Sequence, residues 1–238
     1  MTKEHFEEAR ASEAEYHQRF YEDNDLFEQG TWMAQPGAVV MEMLERLLQH
    51  RRDAQVLDLG CGIGRNTIPV AERLRGTRSR VIGVDLLEDA AAKLKKNAAE
   101  FDLQELVESE AADVEHYLIE ADTYDYIIAC SALEHTSSRS ALEKVLDQMK
   151  RGTRVGGIHC ITMSTDVEEV DRVTGEIRKG LIELNLAQQD TMKLLQRHYR
   201  EWNILIEQVV PQSIEEVKDG RSIDFRCSLI TFAAQKIR

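Results

Sequence analysis

The 238 residues include 43 acidic against 30 basic side chains, a formal net charge of −13, with 42% hydrophobic residues. That balance supports a single core of ordinary size and argues against a nucleic-acid partner, whose phosphates are normally met by a basic face. No apolar run reaches membrane-spanning length, the charged start (Lys3, Glu4, Glu7, Glu8) is unlike a secretory signal, and four cysteines without C-x-x-C spacing point to reduced thiols in a cytoplasmic protein without structural zinc.

Residues 3–22 are polar but carry Phe6, Tyr16, Phe20 and Tyr21, which predicts an amphipathic helix. Residues 23–35 read as irregular, with Gly30, Trp32 and Met33 among them. Pro36 opens a helix with Val39, Val40, Met43, Leu44, Leu47 and Leu48 on one face. Strands are predicted at 55–59 and 80–84, a helix at 88–101, a weaker strand at 106–111 and a strong one at 124–130. A helix to about residue 150, a turn over 151–157 and a strand at 158–162 follow. A long polar stretch at 163–189 overlaps a helix at 186–202, and strands at 203–210 and 222–233 form a closing hairpin. The pattern predicts an α/β fold: a doubly wound, Rossmann-like, seven-stranded, mostly parallel sheet with an antiparallel C-terminal strand and an N-terminal helical extension. Residues 1–35 are expected to form the extension or lid and 36–238 the main domain. Arg73, Arg75, Arg78 and Arg80 fall away from the carboxyl ends of the strands and read as a solvated loop.

The run Val56-Leu57-Asp58-Leu59-Gly60-Cys61-Gly62-Ile63-Gly64-Arg65-Asn66-Thr67, with Asp85 ending the next strand, carries most of the functional information. Strand, glycine turn, helix and a second strand ending in an acid is a layout that holds a nucleoside-bearing cofactor. A dinucleotide fingerprint reads G-x-G-x-x-G; here Arg65 stands where its third glycine would be, and Asp58 precedes the loop. Those charges suit a ligand with an ammonium and a carboxylate better than a pyrophosphate. Pro69 fits only a first helical turn, so the helix starts near Asn66 and leaves Arg65 in the loop, where it could pair with a carboxylate.

This run resembles the first motif of the class I S-adenosylmethionine-dependent methyltransferases, and Met163-Ser164-Thr165-Asp166 with the helical run 192–202 looks like their tellurite-resistance-type branch. The resemblance implies S-adenosylmethionine as cofactor. It implies that Asp58, Gly60, Cys61, Gly62, Gly64, Arg65 and Asn66 bind the cofactor, the glycine loop wrapping its methionyl part. Asp85 then takes the ribose, Leu86 packs on the adenine, and Ala112, Asp113 and Val114 receive its edge. Cys130 and Ser131 close the strand-four side. Asp113 has a second reading, as a cap for the following turn.

Ser131 to Thr136 resembles the family's strand-four loop, in which His135 and Glu134 are the candidate catalytic pair. Methyl transfer from a sulfonium needs alignment first and a base only for a protonated acceptor, so packing or positioning is the competing role. Trp32 and Met33 are candidates for an active-site cover or for packing alone. The absence of an Asp/Asn-Pro-Pro-Tyr segment or a prolyl-cysteine argues against methylation of DNA bases. The expected activity is methyl transfer to a small-molecule acceptor, with RNA or protein methylation, or a cofactor-binding regulatory role, as alternatives.

Overall fold

The apolar runs Gln55–Leu59 (β1) and Tyr124–Cys130 (β4) lie side by side at the centre of the sheet in a computed structural model that describes residues 3–218 and 220–238. Their side chains alternate between two cores. Leu57, Leu59, Ile127 and Ala129 face one, and Val56, Tyr126 and Ile128 the other. Strands covered on both faces read as continuous apolar runs, which is why they stand out in the sequence. Helices α2 (Ala38–Leu48), α3 (Thr67–Arg73) and α4 (Glu88–Glu100) supply the second core, and α5 (Arg139–Gly152) and α6 (Gln188–His198) the first.

Parallel pairing continues through β2 (Arg80–Asp85) and β3 (Val107–Ala111) on one side and β5 (Thr153–Asp171) on the other. β8 (Arg221–Gln235) runs antiparallel between β5 and β7 (Asn203–Lys218), giving the order β3-β2-β1-β4-β5-β8-β7. This is the expected mostly parallel sheet with one antiparallel strand near its end. It differs from the expectation in three ways. A three-residue strand, β6 (Ile177–Lys179), pairs with β5 and makes eight strands rather than seven. β5 does not stop at Thr162 but runs on to Asp171, and β7 runs on past Val210 to Lys218, so that part of the long polar stretch is sheet, while β8 lies close to its expected bounds. The predicted helix at 186–202 is shorter because Tyr199 and Trp202 turn inward to pack on His159.

Helix α1 (Lys3–Asp23) lies across the carboxyl ends of the strands; residues 1 and 2 of the expected extension fall outside the described residues. Buried Lys218, at the end of β7, holds it by donating to Glu13 at 2.7 Å.

At the opposite, amino end of the sheet, Asp125 of β4 is 2% exposed and gathers three neighbours. It accepts from Arg51 Nη1 at 2.6 Å, Arg154 Nη1 at 3.1 Å and the Gln55 backbone N–H at 2.9 Å. This ties β1, β4 and the start of β5 at one point. Asp125→Ala should lower the unfolding free energy by about 3 kcal/mol in urea titrations, since it removes charged hydrogen bonds and leaves a buried backbone N–H unpaired.

Candidate functional site

The glycine loop after β1 is held by backbone bonds across to β2. Gly60 and Cys61 both donate to the Val84 carbonyl, at 2.8 and 3.0 Å. Gly62 donates to Asp85 Oδ2 at 2.8 Å, and Leu87 to Asp85 Oδ1 at 3.0 Å. Gly60 (φ +72°) and Gly62 (φ +53°) lie in the left-handed region. A Cβ on Gly60 would meet Ala132 Cβ at 2.6 Å, and one on Gly62 would meet the Tyr21 hydroxyl at 2.5 Å. The loop is therefore packed between the strand-four loop and α1. Pro69 is the third residue of α3, in its first turn, as its missing N–H requires. Asn66 does not cap α3 with its side chain but accepts from Gly37 N at 2.9 Å. Arg65 donates to the Gln35 carbonyl at 2.8 Å and lies over the Trp32 ring, 5.5 Å from its centroid. Among the described residues no carboxylate lies within ion-pair distance of it. Burial lowers its pKa, a cost that a ligand carboxylate would offset.

Around this loop opens a cavity of about 540 Å³. Of the residues singled out in the sequence, Gly60, Cys61, Gly62, Arg65, Asn66, Asp85, Leu86, Asp113, Val114, Cys130, Ser131, Glu134, His135, Trp32 and Met33 line it. Asp58, Gly64 and Ala112 do not. Asp58 is 1% exposed beneath the loop, where it accepts from Thr67 Oγ1 at 2.6 Å. Burial, with help from the charge on Asp85 and against the Thr67 hydrogen bond, pushes its pKa up to about 7. Gly64 instead makes room for Leu94 and Ile68, and Ala112 contributes a backbone bond to the Asp85 carbonyl at 2.8 Å.

Asp113 is placed as its capping reading expects. Oδ1 caps the next turn by accepting from Glu115 N at 2.9 Å, while Oδ2 pairs with Arg10 of α1. Arg10 also donates to the His135 carbonyl at 2.6 Å. His135 Nδ1 meets Glu183 Oε2 at 2.7 Å. Burial opposes the charged imidazole, but the Glu183 hydrogen bond and charge, with Glu134 and Glu13, outweigh it and raise the pKa to about 9. Glu183 is held below the usual carboxylate range by the same pairing, against its own desolvation. The pairing with Glu183 thus favours the charged imidazole and gives His135 a fixed place in the cavity wall. Glu134 is equally occupied: Oε1 accepts from Ser164 N at 2.8 Å, Oε2 is buried without a partner, and burial pushes the carboxyl up. Trp32 stacks on Phe20 with centroids 5.0 Å apart, so it staples α1 while also facing the cavity.

Tyr16 and Tyr21, among the N-terminal aromatics that the sequence offers as a cover, line the cavity too; Arg10, Glu13, His17, Glu183 and Glu216 also line it and were not singled out in the sequence. The positions 10, 13, 14, 17 and 21 follow helical spacing, a signal that one face of α1 looks onto the site. Glu183 carries no such signal. Tyr16 donates to Glu216 Oε1 at 3.3 Å, and burial, then the nearby Glu13 charge, pushes Glu216 up to about 7. No helix among the described residues is long and apolar enough to cross a membrane.

Residues 56–157 match the protein family described as a methyltransferase domain. Over 155 residues the chain is 26% identical to methyltransferase GfsG of Streptomyces halstedii, covering 65% of this chain and 54% of that protein. Over 104 residues it is 33% identical to a probable cobalt-precorrin-6B C(15)-methyltransferase (decarboxylating) of Pyrobaculum calidifontis, covering 42% and 53%. The chain thus spans about half the length of these curated relatives. Among solved structures, TehB of Haemophilus influenzae matches with a TM-score of 0.62 and 21% identity over 87% of this chain and 64% of that one, a likeness of fold.

The buried acid beneath the loop makes stability depend on pH. Below about pH 4 both the folded and unfolded states carry a neutral Asp58; above pH 7 folding must bury its charge. Asp58→Asn, which keeps an acceptor for Thr67, should therefore stabilise the fold more at pH 8 than at pH 5, by about 1–3 kcal/mol in urea titrations. An equal gain at both pH values would show that Asp58 is charged throughout.

Proposed function

We propose that this chain, which carries a class I S-adenosylmethionine-dependent methyltransferase domain, moves the cofactor's methyl group to a small-molecule acceptor by in-line displacement. The observation that carries the reading is the joined unit of glycine loop, Asp85 and Arg65 at one end of a cavity walled by α1. When bound, S-adenosylmethionine supplies an electrophilic methyl on a sulfonium. Asp85 keeps lone pairs free beside its two backbone donors, and these accept from the ribose hydroxyls. Leu86, 41% exposed, offers an apolar edge to the adenine. Arg65, lacking a protein carboxylate, takes that of the methionyl part. Val114 and the backbone at Asp113 bound the adenine edge.

On the acceptor side, residues 1–35 act as the cover and 36–238 as the catalytic domain. Arg10, Tyr16, His17 and Trp32 exclude water and hold the acceptor in line, which is where most of the rate arises when the sulfonium is already activated. Enclosure by a helix favours a small molecule over RNA or a folded protein. The relatives named for a precorrin and for GfsG support the enzyme class without fixing the acceptor. An oxyanion of the tellurite type draws no support from a wall carrying Glu13, Glu134, Glu183 and Glu216. All four cysteines are free, in keeping with the cytoplasmic setting expected from the sequence.

Calorimetric titration tests the cofactor assignment. The protein should bind S-adenosylhomocysteine and show no measurable affinity for NAD, and Asp85→Ala should weaken the first by about 1.5–3 kcal/mol, the scale of hydrogen bonds to a charged group. Preferential NAD binding would sink the assignment, and an unchanged affinity in the variant would remove Asp85 from the site.

A further inference from the structure

Three side chains on the cover side of the cavity form a cluster of which the methyl-transfer reading uses only His17, and that as part of the wall. Glu13 and His17 lie one turn apart on α1, and His135 approaches from the strand-four loop. One carboxylate oxygen and one nitrogen from each ring all lie within 4.8 Å of one another. The His17 and His135 rings meet edge to face with centroids 6.4 Å apart, and His17 Nε2 is 3.9 Å from Glu13 Oε2. Two imidazoles and a carboxylate from positions 13, 17 and 135 are a donor set that spacing along the chain could not disclose.

Each donor is shaped by its surroundings. His135 is fixed through Nδ1 by Glu183, so that Nε2 becomes the ligating atom once an ion displaces its proton to solvent; a carboxylate behind the ligating histidine is the usual arrangement in metal sites. Lys218 occupies Glu13 Oε1 at 2.7 Å and leaves Oε2 turned toward His17. No hydrogen bond fixes the His17 ring, whose Nδ1 is shut off from solvent and has no partner. The wider field combines cationic Arg10 and Lys218 with acidic Glu134, Glu183, Glu216 and Asp113, so the acids outnumber the bases.

We propose that Glu13, His17 and His135 form a three-ligand site for a borderline divalent transition-metal ion such as Zn²⁺, with an open coordination position toward the cavity. Imidazole and carboxylate suit such an ion better than Mg²⁺ or Ca²⁺, which prefer all-oxygen shells. Bonds of about 2.0–2.2 Å draw the three donors closer than they stand here, a movement within the reach of their side-chain torsions. Three protein ligands and one open position is the pattern of a site that binds substrate rather than one that only braces a fold. Resting on the methyl-transfer reading, the ion would hold an acceptor hydroxyl or thiol and favour loss of its proton to solvent, a deprotonation that ion-paired His135 does not supply. The acceptor heteroatom then forms its bond to the methyl carbon as the carbon–sulfur bond breaks, and that bond's electron pair stays on sulfur.

Metal-stripped full-length protein dialysed against Zn²⁺ should retain one ion per chain by elemental analysis and retain no Mg²⁺ under the same conditions. His17→Ala and Glu13→Gln should each weaken zinc binding at least tenfold, and Glu183→Gln about 10–100-fold, the range for a residue supporting a metal-bound histidine. Each variant should keep the parent's far-ultraviolet circular dichroism, which reports folding, and Asp85→Ala should retain zinc at the parent's affinity, which separates this site from the cofactor assignment. Co²⁺ loaded into the unaltered protein should give a visible ligand-field spectrum without thiolate charge-transfer bands, a readout that needs no variant. No stoichiometric zinc in the parent, zinc retained at full affinity in both His17→Ala and Glu13→Gln, or thiolate bands with Co²⁺ would each overturn the proposal.

Discussion

The reversal of strand order between β1 and β4 is the constraint on which the rest of the molecule depends. Their following loops leave toward opposite faces of the sheet, so a crevice opens at their carboxyl ends whatever the side chains do. What the sequence adds is a way of closing the backbone around that crevice. Gly60 and Gly62 let the chain turn where a Cβ would strike Ala132 or Tyr21, and the amides of the turn are satisfied by Val84 and Asp85. Asp85 fixes the loop from below while lining the cavity, the position from which the proposed reading has it accept from the ribose.

The second half of the architecture is the cover. α1 is anchored at three separated points: Arg10 to Asp113, Lys218 to Glu13, and the Tyr21–Trp32–Phe20 cluster over the glycine loop. Two of these contacts are polar and lie beside a cavity, where they compete with water and with ligand groups. Only the aromatic cluster resembles core packing. A helix held this way can loosen while the sheet stays folded, because the sheet's own cores draw on residues from Val40 onward apart from Leu26 and Phe27 at the margin. On the proposed reading, opening of α1 would offer acceptor and cofactor a way in, and closure would exclude water from the sulfonium.

Much of this was legible in the residues, and the exceptions have physical causes. β1 and β4 announce themselves because burial on both faces demands unbroken apolar runs, and Pro69 and the glycines fix where the loop ends and α3 begins. The far halves of β5 and β7 were missed because exposed faces there admit Glu168 and Glu215, which read as loop when the pairing partner is unknown, whereas β8 was read over nearly its whole length. Asp58 shows a limit of motif reading. It belongs to the run that identifies the loop, yet alternation along β1 buries it against Thr67 rather than in the cavity. Glu183 shows another: its place depends on the segment between β6 and α6 returning to the site, where Leu184 bonds the Glu134 carbonyl, a long-range event with no local signature.

A structure of the protein crystallised with S-adenosylhomocysteine tests the central claim most directly. The ribose hydroxyls should lie on Asp85, the amino-acid carboxylate beside Arg65 and the adenine against Leu86 and Val114, with α1 closed over the sulfur. Ligand bound away from the glycine loop, or an Asp85 that keeps only its bonds to Gly62 and Leu87, would contradict it.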